Sequence, residues 1–157
     1  MTHRTKDNAG AKLFLLSTTM TQKLLTVEEL LQMPEENYMD ERQLAFFRHR
    51  LEQMEQELRA NADQTTNNLR ETTYAPDPAD RATIEEEHAF ELRTRDRERK
   101  LLMKVKAAIK RIDDGDYGWC EETGEPIGVA RLLARPTATL CLEAQQRREL
   151  KQKMYGD

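Results

Sequence analysis

Leu44-Ala45-Phe46-Phe47-Arg48-His49-Arg50-Leu51-Glu52-Gln53-Met54-Glu55-Gln56-Glu57-Leu58 places apolar residues at Leu44, Phe47, Leu51, Met54 and Leu58. The steps alternate between three and four, the spacing of a coiled-coil seam on an α-helix. Just upstream, Asp40 can cap the helix, Gln43 stands three residues on, and Met39 can staple to Leu44. Downstream the period fades through Asn61, Thr65, Asn67 and Asn68. The seam therefore loses its apolar grip toward its far end.

Tyr74-Ala75-Pro76-Asp77-Pro78 breaks this helix, because each proline disfavours helix in the residue before it. A second helix starts at once. Asp77 can cap it, Pro78 suits its first position, and Asp80 lies near its positive end. Nothing interrupts it before Asp113, and Leu101, Val105, Ala108 and Ile112 form a second seam. Glu91 with Arg95, and Asp96 with Lys100, are favourable pairs four apart. The short link forces the two helices antiparallel. At about 1.5 Å per residue, they predict an arm of roughly 45–50 Å. Residues 39–113 thus read as a helical hairpin with its tip near 74–82.

Before the hairpin, residues 1–20 show no period and read as a disordered tail or an upstream extension. Residues 21–38 hold a short helix. Thr26 and Glu29 make its capping box, Leu25 and Leu30 take the staple positions, and Pro34 ends it. After the hairpin, glycines and prolines punctuate short apolar pieces over 114–140, a small turn-rich module. A last helix, from about Leu140 to Met154 with Gly156 past its end, makes up the segment 141–157. The fold class is mainly α: a long antiparallel coiled-coil hairpin, a small zinc-ribbon-like module, degenerate and metal-free, and a C-terminal helix.

Composition agrees. Of 157 residues, 34% are charged and 6% aromatic, too polar for one large core. The net charge of -4 gives no bulk attraction for nucleic acid. No run approaches the roughly 18 apolar residues of a membrane span, and Leu13–Leu16 is too short for a signal-peptide core. The expected location is the cytoplasm, with no membrane partner. A disulfide between Cys120 and Cys141, the two cysteines of the chain, would be unusual there.

Three groups of residues could carry chemistry. Asp77, Asp80, Glu85, Glu86 and Glu87 sit at the tip; they serve as caps and dipole partners, or they reach a metal or basic cleft in a partner. Arg93, Arg95, Arg97, Arg99, Lys100, Lys104 and Lys106 make a basic stretch, interleaved with Glu91, Asp96 and Glu98. Positions 120, 123, 141 and 144 have the spacing of a four-cysteine zinc site, but Cys120, Thr123, Cys141 and Ala144 occupy them. Structural zinc needs four closed ligands, and Thr and Ala do not supply them. His49 and His88 belong to the hairpin. The module is expected to be metal-free, held by packing of Trp119, Ile127, Val129, Leu132, Leu133 and Leu140. No nucleophile–base arrangement or phosphate loop is present, so no enzymatic role is expected.

Pro76-Asp77-Pro78-Ala79-Asp80-Arg81-Ala82 with Glu85-Glu86-Glu87 resembles the coiled-coil tip of DksA proteins. Glu91-Leu92-Arg93, Arg95 to Leu101, Tyr117-Gly118-Trp119-Cys120, Ile127-Gly128, Arg131-Leu132 and Ala134 to Ala138 continue the match, as do Tyr38-Met39 and Gln43-Leu44-Ala45. The resemblance implies a transcription factor that binds RNA polymerase rather than DNA. Its hairpin enters the secondary channel and, with the alarmone ppGpp, alters open-complex stability. By position it implies tip residues Asp77, Asp80 and Ala82, a channel-rim contact at Arg97, and a ppGpp interface at Leu101, Lys104 and Arg135. A further basic position of that interface is Gln145 here. The missing cysteines resemble zinc-independent members of the family.

Three other readings compete. A transcript-cleavage factor of the Gre type also uses an acidic-tipped hairpin. A DNA-binding zinc finger needs the two absent ligands and a basic surface. A structural coiled coil would dimerise, but an antiparallel hairpin satisfies its own seams, so a monomer is expected.

Overall fold

The computed structural model describes residues 23–70 and 77–156. The predicted tail and the Tyr74–Pro76 break lie outside the described residues. The first helix, α1, is Val27–Gln32. The predicted box forms in full: Thr26 Oγ1 accepts from the Glu29 N–H at 3.2 Å, and Glu29 Oε2 accepts from the Thr26 N–H at 2.8 Å. Met33 is extended, as the residue before a proline must be. A 3-10 turn, Glu35–Asn37, follows. It has no counterpart in the sequence reading.

Helix α2 is Glu41–Arg70 and α3 is Pro78–Asp114. Asp40 Oδ1 caps α2 by accepting from the Gln43 N–H at 2.9 Å. Gln43 does reach back, but one residue further than a capping box requires. Its Oε1 accepts from the Met39 N–H at 2.9 Å, because the Asp40 N–H is already committed to the Asn37 carbonyl. At α3, Asp77 Oδ1 accepts from the Ala79 N–H at 3.1 Å, and Pro78 takes the first turn. Gly115, at φ 81°, ends α3 in the left-handed conformation.

The helices pack antiparallel, with Arg48 near the start of α2 ion-paired to Asp113 at the end of α3. Phe47 and Leu51 are sealed against Val105, Ala108 and Ile112. Met54, Leu58 and Leu101 are only half-buried. Beyond them, α3 turns half-buried Thr94, Glu98, Glu91 and His88 to the same face. In α2, Thr65 and Thr66 hydroxyls donate to the carbonyls of Asn61 and Ala62, each at 2.9 Å. The apolar grip thus fades outward as the spacing predicts. Asp96 pairs with Lys100 at 2.9 Å and also with Arg99 at 3.0 Å. The expected Glu91–Arg95 pair does not form among the described residues.

The module closes on a few backbone bonds. A single bridge joins Trp119 to Pro126, the Cys120 N–H donates to the Glu125 carbonyl at 2.8 Å, and the Glu121 N–H donates to the Thr139 carbonyl at 2.9 Å. Helix α4, Val129–Ala134, stands where only short apolar pieces were expected. Helix α5 runs Leu142–Tyr155, starting after the extended Cys141 and capped by Gly156. Among the described residues no strand forms. No helix among them is long and apolar enough to cross a membrane.

Tyrosines join the module to the arm. Tyr117 is buried, its ring centroid 5.6 Å from that of Phe47, and its hydroxyl donates to the Pro136 carbonyl at 2.7 Å. Tyr38 donates to the Gly118 carbonyl at 2.6 Å and accepts from the Gly128 N–H at 3.0 Å. Trp119 is a correction to the expected core. It is 38% exposed and meets Tyr38 edge-on at 5.3 Å. Tyr117, Cys120, Ala138 and Ala144 are buried in the core instead.

Candidate functional site

The tip lies where α3 begins. Asp77 spends one carboxylate oxygen on its own cap. Asp80 is exposed and has no hydrogen-bond partner among the described residues. Ala82 and Glu85, Glu86 and Glu87 are also exposed. At a rise of about 1.5 Å per residue along α3, these groups lie about 40–55 Å from its other end, at Asp114, with Asp80 about 50 Å away.

Along α3, Asp96 sorts the basic stretch. The Lys100 ammonium and then Arg99 hold its carboxyl below the usual range. Arg97 is exposed and unpaired among the described residues, as are Arg93, Arg95 and Lys104.

A pocket of about 270 Å³ opens between α3, the loop after α4, and α5. It brings together Lys104, Arg135 and Gln145, three positions named from sequence and up to 41 residues apart. Leu101 is not in its lining; it is half-buried toward the seam. Arg111, Arg131 and Arg148 also line the pocket, with Glu121 as its carboxylate. Sequence reasoning missed these three arginines. For Arg148 a signal existed, since it falls three residues after Gln145 on a predicted helix. Arg111 Nη2 donates to the carbonyls of Asp116 and Trp119 at 3.1 and 2.8 Å. Arg131 Nε donates to the Leu140 carbonyl at 3.0 Å. These two cations help build the module as well as charge the pocket.

The degenerate metal positions do come together. Cys120, Cys141 and Ala144 are buried, and Thr123 Oγ1 lies 3.8 Å from Cys141 Sγ. Burial opposes ionisation of Cys120. The Thr123 hydroxyl and the backbone N–H groups of Cys141, Thr123 and Glu122 act the other way and bring its thiol down to about 6. The donor set does not fit a closed zinc site, because Ala144 presents a methyl group and Thr123 a hydroxyl. No cluster of three or more His, Cys, Asp or Glu side chains occurs among the described residues.

The family model for the DnaK suppressor protein DksA, N-terminal domain, matches residues 43–112, the paired helices. That for the prokaryotic dksA/traR C4-type zinc finger matches residues 115–150. The RNA polymerase-binding transcription factor DksA of Caulobacter vibrioides is 48% identical over 124 residues, 78% of this chain and 87% of that one. The chain belongs to the DksA family. The Escherichia coli strain K12 DksA is 46% identical over 131 residues, 83% of this chain and 87% of the relative. The solved structure of transcription factor DksA2 from Pseudomonas aeruginosa superposes with a TM-score of 0.74 at 49% identity, covering 81% of this chain and 98% of that one. The zinc-finger family model therefore covers a segment in which two of the four cysteine positions are Thr123 and Ala144.

Proposed function

We propose that this DksA-family chain is a transcription factor that binds bacterial RNA polymerase. Its arm enters the secondary channel, sets Asp77, Asp80 and Ala82 near the catalytic centre, and shifts open-complex stability. Arg97 contacts the channel rim. The Lys104–Arg135 pocket, with Leu101 beside it, takes ppGpp at the polymerase interface. The module works without structural zinc, and the protein acts as a monomer, without sequence-specific DNA binding, in the cytoplasm where its partner resides.

One observation carries the reading: an unpaired, exposed carboxylate, Asp80, at the end of an arm about 50 Å long. The relatives named RNA polymerase-binding transcription factors support the partner. Because Asp77 is engaged in capping, the tip favours contact over a metal-binding catalytic aid of the Gre type. The test is transcription in vitro from a ribosomal promoter, with and without ppGpp and chelator. Asp80→Asn should keep polymerase binding and lose inhibition. Stimulated cleavage of backtracked RNA would decide for the Gre-type reading.

A further inference from the structure

Gln145 is the weak point of the pocket as a site for a polyphosphate. It is uncharged, and its Nε2 already donates to Glu149 Oε1 at 2.7 Å. One turn along α5, Arg148 lines the same pocket. Glu122 holds it, with Arg148 Nη2 3.5 Å from Glu122 Oε1. That is longer than a charge-assisted hydrogen bond of full strength. Both groups remain partly in solvent, where such pairs are weak and easily exchanged.

The other cations divide clearly. Lys104 and Arg135 have no ion-pair partner among the described residues. Arg111 and Arg131 are tied to backbone carbonyls. Arg111 keeps one loose donor, however. Its Nη1 is sealed from solvent without a hydrogen bond, and the nearby Glu121 Oε1 stands 3.6 Å away. A buried donor lacking an acceptor is costly, and Glu121 is the nearest carboxylate to it.

We infer that Arg148 sets the nucleotide affinity of this pocket, replacing the basic side chain that position 145 lacks, and that Glu122 restrains it until a phosphate takes the guanidinium over. This rests on the ppGpp reading given above. The planar guanidinium exchanges one long contact with a carboxylate for two short bonds to phosphate oxygens. Glu122, already part-exposed, returns to water. The nucleotide thus competes with an internal carboxylate, and the Glu122–Arg148 pair sets the concentration at which it succeeds.

The test uses the full chain bound to RNA polymerase and titrates ppGpp against promoter inhibition, with polymerase affinity measured for each variant. Arg148→Ala should raise the half-saturating ppGpp concentration about tenfold, the loss of one charge-assisted phosphate contact. Glu122→Gln should lower it roughly threefold by freeing the guanidinium. Gln145→Lys placed in Arg148→Ala should restore the parent value. A half-saturating concentration unchanged in both Arg148→Ala and Glu122→Gln would overturn the inference while leaving the ppGpp reading intact. A parent complex indifferent to ppGpp would overturn the ppGpp reading, and the inference with it.

Discussion

Gly118→Ala is the most demanding single change for the joint between arm and module. Gly118 has φ 89°, where an L side chain is strained by about 1–2 kcal/mol. Its added methyl group would sit 2.6 Å from Met39 Cγ and 2.7 Å from Met39 Sδ. Met39 is half-buried and packed against the core, which limits how far its side chain can retreat. Overpacking of this kind costs about 1–3 kcal/mol. The methyl group would also stand 3.3 Å from the Tyr38 hydroxyl, which donates to the Gly118 carbonyl. Weakening that bond loses about 1 kcal/mol more. Together they predict a loss of about 3–6 kcal/mol and, at about 2–4 °C per kcal/mol for a chain of this size, a fall in Tm of roughly 6–24 °C. Thermal and urea unfolding followed by circular dichroism provide the assay. In Met39→Ala the methyl group has room, so the double variant should lose at least about 1 kcal/mol less than the sum of the singles. A Gly118→Ala chain within about 0.5 kcal/mol of the parent, or strict additivity with Met39→Ala, would refute the packing described at this joint.

Prolonged EDTA should leave the helical circular dichroism signal and the melting temperature unchanged, because Thr123 and Ala144 leave no closed zinc site to empty; loss of most of the signal would contradict this. Burial raises the Tyr117 phenol above its ordinary value, so its neutral form is favoured in the folded chain. Its contribution is fully present below about pH 10 and is lost as pH rises beyond that. Tyr117→Phe should cost about 1 kcal/mol at pH 7 through the lost bond to Pro136 and should flatten the alkaline fall in urea midpoint; an equally steep fall in the variant would count against it. Phe47→Ala should destabilise by about 3–5 kcal/mol, since Phe47 is fully buried at the base of the seam. A comparable loss from Leu58→Ala, farther out and half-buried, would argue against the gradient along the arm.

Local signals made most of the fold legible. Thr26 with Glu29, and Asp77 with Pro78, fix helix starts through contacts no more than three residues apart. The Leu44–Leu58 period fixes which face is buried. What the sequence hid depends on contacts across the chain. Trp119 looked like a core residue, yet it is part-exposed, and Tyr117 is the buried aromatic, its hydroxyl satisfied by the Pro136 carbonyl. Gln43 was expected to close on Asp40 but serves Met39, since the unforeseen 3-10 turn takes the Asp40 N–H. The pocket shows the same division. Lys104, Arg135 and Gln145 were marked by resemblance, whereas Arg111 and Arg131 join them only through carbonyls supplied by the folded module.

The fully sealed side chains of the arm, Phe47, Leu51 and Val105, all sit at its root. Hydrogen exchange should therefore be slowest there and quicken turn by turn toward Asp77, through openings that never unfold the root. A lever graded in this way holds its bearing at the anchorage while its last turns bend to the walls around them.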